Sequence, residues 1–110
     1  MKYFRFSEPL PELILSGKKT STWRINDEKN IVVGDVVPLW RKDGSEFAKA
    51  KIISVDEVEF GNLSDEDKKG HETFSSDEEM YSTYSRYYKM KVTPKTKVKV
   101  FKFVLLDGNA

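Results

Sequence analysis

The sequence predicts an α+β domain in which a small, strongly curved mixed β-barrel is flanked by short helices. Two observations carry that prediction. The longest apolar stretches, Phe47–Phe60 and Val98–Leu106, are rich in β-branched and aromatic residues, yet their in–out alternation changes phase part-way along. A flat strand keeps one phase, because side chains alternate strictly between its two faces. Phase slips read as bulges, which bend strands around small barrels. Between these stretches lies a helix-start signal, Ser76 followed three positions later by Glu79.

The elements follow in order. Met1–Phe6 alternates enough for a first strand. Pro9–Ser16 reads as a short helix, with Leu10, Leu13 and Ile14 on one face, Pro11 in the first turn and Gly17 at the end. Thr20–Ile25 is β-branched and aromatic and reads as a strand, with Trp23 turned to the core and Trp40 as its expected neighbour. Asn26–Asn30 is a polar loop. Gly34-Asp35 turns the chain into the strand Val36–Arg41, and Lys42-Asp43-Gly44-Ser45 carries the Asp-Gly signal of a hairpin. Phe47–Phe60 shows its slips at Ala48/Ala50/Ile52, then Ile53/Val55, then Val58/Phe60. Ser64–Lys69 is a short helix ended by Gly70. The helix opened by Ser76 carries Met80, Tyr84, Tyr87 and Tyr88 at helical spacing, a stripe read as core in preference to a base-stacking platform. The final strand, Val98–Leu106, slips between Val98/Val100 and Phe101/Phe103/Leu105. The tail Asp107–Ala110 is expected to fray.

Length and composition bound the function. The 110 residues form one domain. There is no cysteine, hence no disulfide or thiolate metal site, and the single His71, which reads as a surface-loop residue, leaves no basis for a metal centre. No cofactor is expected. Neither a membrane-length apolar run nor a signal peptide is present, so the protein is expected to be cytoplasmic and without a membrane partner; the sequence does not set its oligomeric state, and a monomer is the default expectation. Net charge is only +1, but residues 56–79 hold ten acids and two lysines, and residues 80–106 hold seven bases and no acid. That polarity serves either a basic binding face or two mutually attracting solvated surfaces.

The ordered set Gly17, Lys18, Lys19, Thr20, Thr22 and Arg24, followed by Gly34 and Asp35, resembles the ASCH domain family. The later GHETFSSDEEM segment and the final VKVFKF strand are similar to its archaeal branch. The resemblance spans about residues 4–106 and implies a PUA-like pseudo-barrel with a cleft beside the first helix. It implies RNA or a modified nucleoside as partner, with Lys18, Lys19, Thr20 and Arg24 as contacts. Similar bacterial members hydrolyse N4-acetylcytidine with a lysine, a threonine and a glutamate. The first two match Lys19 and Thr22. For the third, a gapless count from Leu63 gives His71 and an acidic-Gly anchor gives Lys69. A one-residue shift gives Glu72, the nearest carboxylate and the residue assigned.

The chemistry of that set is coherent. A threonine hydroxyl attacks only after a base takes its proton. A lysine is such a base only when burial or a nearby cation lowers its pKa. Lys18 and Arg24 supply cations, and a carboxylate can protonate the leaving amine. The structural alternatives are plain: lysines are favoured at a helix C-terminus, and threonines in strands. Arg24 either forks onto a phosphate or base edge or pairs with Asp35 or Glu28. Three functions follow: an RNA- or nucleoside-binding module, an amidohydrolase acting on N4-acetylcytidine, and a partner-binding domain using the acidic segment.

Overall fold

In the computed structural model, which describes residues 2–106, β1 (Phe4–Phe6) leads into helix α1 (Leu10–Leu15) and then β2 (Ser21–Arg24). A hairpin of β3 (Val36–Arg41) and β4 (Glu46–Glu59) follows. A 3-10 turn (Phe60–Asn62), helices α2 (Asp65–Lys68) and α3 (Asp77–Tyr88), and β5 (Lys97–Leu105) complete the chain. The expected fraying of 107–110 and the first residue of the predicted first strand lie outside the described residues.

The strands form one five-stranded sheet, ordered β1-β3-β4-β5-β2. β1 runs parallel to β3 and the other pairings are antiparallel. The sheet curls into a half-barrel, as expected. Asp43-Gly44 makes the hairpin turn: Gly44 sits at φ +91°, Arg41 N–H donates to Ser45 O, and Asp43 Oδ1 accepts from Ser45. The β4 slip at Ile52/Ile53 is a true bulge. Ile52 pairs with Phe103 and Ser54 with Lys102, so Ile53 is extruded and half exposed.

The slip in β5 has a different cause. Its register against β2 runs unbroken from Lys99 to Lys102. Val98 and Val100 point to one face, into a cluster with Trp23, Phe60, Met80 and Tyr84. Phe101 and Phe103 point to the other, into a cluster with Phe4, Ile14, Leu39 and Ile52. The strand is buried on both sides, so apolar residues occupy both phases without a bulge.

The helices are held at their starts. Ser76 Oγ accepts from Glu79 N–H, but the Glu79 carboxylate turns to Ser75 N–H and Oγ–H, so the reciprocal bond of the expected capping box falls one residue early. The complete capping box belongs to α2, between Ser64 and Asp67. The expected Trp23–Trp40 contact does not form. Trp40 lies on the outer face and stacks on Tyr3 at 4.2 Å. Trp23 is buried against His71, with its Nε1–H donating to Asp67 O.

Candidate active site

The half-barrel is open where its two edge strands, β1 and β2, approach each other. Arg24 spans that seam. It leaves β2, lies over the rings of Phe4 and Phe6 at 4.8 and 4.9 Å, and donates from Nη2 to the carbonyl of Arg5 on β1. Its Nε–H donates to Thr22 Oγ1 at 3.0 Å. Neither Asp35 nor Glu28 is its partner: Asp35 instead accepts from Lys2 Nζ and Val32 N–H. Beside the seam lies a cleft of about 320 Å³, walled by β1, β2, the loop 70–72 and α3.

Lys19 follows the last turn of α1, where its N–H donates to Leu13 O. Its side chain turns inward and is only 3% exposed, which excludes the solvated helix-end alternative. Nζ reaches Glu72 Oε1 at 2.5 Å. Burial pushes the Lys19 amine below its ordinary pKa, against the pull of Glu72, and the Arg24 charge adds to the lowering. Burial works to raise the pKa of Glu72, but the Lys19 charge and hydrogen bond pull it down, and the carboxyl lies below its usual range.

Glu72 is brought to Lys19 by a backbone clamp. Gly70 O accepts from the N–H groups of both Thr20 and Ser21. Gly70 has φ +75°, and a Cβ there would overlap Thr20 Oγ1. The loop therefore lies flat against the start of β2, and the next two side chains enter the site. His71 is not a surface residue: it is 7% exposed and stacks on Trp23 with ring centroids 3.6 Å apart. Its pKa is lowered to about 4, by burial first and then by the Lys19 charge, so the ring is neutral at pH 7.

Of the residues singled out in the sequence, Lys19, Thr22, Arg24 and Glu72 line one cleft. Lys18 and Thr20 do not line it; both are exposed, and Thr20 acts on the loop clamp. Lys69 is solvent-facing and paired with Glu66. Arg5, Phe6, Tyr87 and Tyr88 also line the cleft, beyond what the sequence singled out as site residues. The tyrosine stripe is divided: Tyr84 is buried, whereas Tyr87 is 59% exposed. Lys97 and Lys99 stand opposite Glu59 and Glu57 on β4, and Lys102 Nζ binds the Glu66 carbonyl and carboxylate. Among the described residues no group of metal-binding side chains gathers, and no helix is long and apolar enough to cross a membrane.

No protein-family model and no curated protein matches this sequence. Solved structures do match. An ASCH domain from Lactobacillus crispatus superposes with a TM-score of 0.64 at 18% identity, over 86% of this chain and 69% of that one. The chain has the ASCH-type fold. A Pyrococcus furiosus protein superposes with a TM-score of 0.65 at 23% identity, over 96% of this chain and 99% of that one. An Enterococcus faecalis protein of the DUF984 group gives a TM-score of 0.77 at 16% identity, over 97% and 82% of the two chains. At such identities the likeness establishes the ASCH fold, and the chemistry rests on the cleft itself.

Proposed function

We propose that the cleft binds an acylated cytidine, with N4-acetylcytidine as the type substrate, and hydrolyses its exocyclic amide. The observation that carries this reading is the buried Lys19–Glu72 pair beside Thr22 in a cleft of nucleoside size. At rest the pair is ionic. Substrate entry displaces water and weakens the charged form, so one proton passes from Nζ to the carboxylate. The neutral amine then takes the Thr22 hydroxyl proton as Oγ1 bonds to the acyl carbon. Arg24 Nε–H, already on Oγ1, holds that oxygen in place and favours loss of its proton. As the C–N bond breaks, the Glu72 carboxyl gives its proton to N4 and cytidine leaves. Water hydrolyses the Thr22 ester, giving the carboxylate product and restoring the hydroxyl.

The exposed ring of Tyr87 at the rim offers a stacking surface for the base. An RNA-binding role has less support, because Lys97, Lys99 and Lys102 do not line the cleft and stand in register with, or bonded to, acidic residues. The test is purified protein with N4-acetylcytidine, following cytidine and acetate. Turnover lost in Lys19→Ala, Thr22→Ala and Glu72→Gln is the expected result. A wild type inactive on the nucleoside and on acetylated RNA removes the reading.

A further inference from the structure

His71 and Tyr84 play no part in the reaction as written, yet both are buried beside it. The contacts of His71 determine where its proton sits. Nδ1 lies 2.8 Å from the Glu72 carbonyl and 3.2 Å from Glu72 Oε1. A carbonyl and a carboxylate oxygen only accept, so Nδ1 must carry the hydrogen. In a neutral ring Nε2 is then an acceptor, and the group 3.0 Å from it is the Tyr84 hydroxyl, which must donate. Burial keeps the Tyr84 phenol protonated, raising its pKa well above the ordinary value. The direction of every hydrogen bond is thus fixed: Tyr84 O–H to His71 Nε2, and His71 Nδ1–H to Glu72.

We propose that His71, held in its Nδ1–H tautomer by Tyr84, is a positioning residue that holds the Glu72 backbone carbonyl and so keeps Glu72 against Lys19; its kinetic role rests on the amidohydrolase reading. The Glu72 carbonyl receives His71 Nδ1–H at 2.8 Å, while Glu72 Oε1 receives Lys19 Nζ and stands 3.2 Å from Nδ1. A glutamate held at its backbone carbonyl by one donor and at its carboxylate by another keeps that carboxylate turned to the cleft. The ring itself cannot tilt, because it lies flat on Trp23 with 12° between the planes. Trp23 is pinned in turn through Nε1–H to Asp67 O. The chain of contacts runs from α3 through His71 to the only carboxylate that lines the cleft, among the described residues. Such an outer contact sets the geometry of an acid without touching substrate.

The first measurement is the 15N shift pair of the His71 ring at neutral pH. The chain has one histidine, so the signals need no assignment. The expected result is a protonated Nδ1 and an unprotonated Nε2. A ring found as Nε2–H or as imidazolium overturns the proposal, whatever the activity. The second is kinetic. His71→Asn keeps an N–H donor near the Nδ1 position, and His71→Leu has nearly the same shape without it. Positioning predicts that Leu loses about a hundredfold in kcat at unchanged KM, with Asn within about tenfold of wild type. A purely packing role predicts that Asn, the polar residue, is no better than Leu, and that result overturns the proposal. Tyr84→Phe should lower kcat about tenfold with KM kept. Should wild type prove inactive on acylated cytidines, the amidohydrolase reading falls and the tautomer alone decides the placement of His71.

Discussion

Lys19 and Glu72 stand 53 positions apart in the chain and meet at 2.5 Å, with the lysine almost wholly buried and the glutamate about a quarter exposed. That asymmetry sets their energetics. Removing the glutamate strands a cation in the interior, whereas removing the lysine leaves an anion that water can still reach. Glu72→Gln should destabilise the fold by about 3 kcal/mol, the lower end for breaking a buried pair. Lys19→Met, which keeps the volume and drops the charge, should cost less. The Lys19→Met/Glu72→Gln double variant should recover most of the Glu72→Gln loss. Urea unfolding of the four proteins measures this; additive losses would mean that the pair does not act as a unit.

The clamp at Gly70 makes a sharper prediction. Alanine there meets both a left-handed backbone and Thr20 Oγ1. Gly70→Ala should cost about 3 kcal/mol and pull the loop from β2, separating Glu72 from Lys19. Adding Thr20→Ala removes the overlap but not the backbone strain, so the double variant should recover only part of the stability. Full recovery would show that the φ angle contributes nothing.

Arg24 is not replaceable by another cation. Its Nε–H holds Thr22 Oγ1 while Nη2 holds Arg5 O across the seam, a planar fork that lysine cannot copy. Arg24→Lys should lower kcat about tenfold or more through Thr22 and lower the melting temperature through the seam. Unchanged kinetics in a folded Arg24→Lys protein would show that charge alone suffices.

The pairing of β5 with acids bears on polymer binding. Lys97 and Lys99 face Glu59 and Glu57 across the ladder. Their removal should therefore change RNA affinity little, and the salt dependence of any RNA binding should be shallow. A steep salt slope that falls in Lys97→Ala/Lys99→Ala would show that these lysines contact phosphates and favour the RNA-binding function.

What was legible in the sequence was local. β3 runs over Val36–Arg41, the bounds its alternation and flanking turns predict, and the hairpin follows from Asp43-Gly44. α1 and α3 follow from apolar spacing and caps. What was not legible depends on tertiary neighbours. Two-sided burial of β5 and a bulge leave the same phase slip in a sequence, and only the β2 and β4 registers separate them. His71 read as a loop histidine because its burial comes from Trp23, nearly fifty residues earlier. The choice among Lys69, His71 and Glu72 as the partner of Lys19 had no periodic signal. It turns on one carbonyl, that of Gly70, docking on β2.

The same buried histidine makes stability depend on pH. Its folded pKa is about 4, against an ordinary value of 6.5. Below 6.5 the unfolded chain binds a proton that the folded ring refuses, so stability is full above 6.5 and falls as pH drops toward 4. Integrated over that interval, the loss approaches about 3 kcal/mol. The groups around the ring act in both directions: Lys19 and Arg24 oppose its protonation, Glu72 favours it, and the Tyr84 hydroxyl remains neutral. Carboxylates held below their ordinary pKa, Glu72 among them, also lose stability as pH falls, but at lower pH than the first part of the histidine's range. The window from pH 6.5 to 5 therefore isolates His71. Urea unfolding across that window should show wild-type stability falling at about 1.2 kcal/mol per pH unit at the acid end. His71→Asn, which cannot titrate, should show a nearly flat profile there. Parallel profiles for the two proteins would mean that His71 titrates alike in the folded and unfolded chains, which is incompatible with a ring buried between Trp23 and Tyr84.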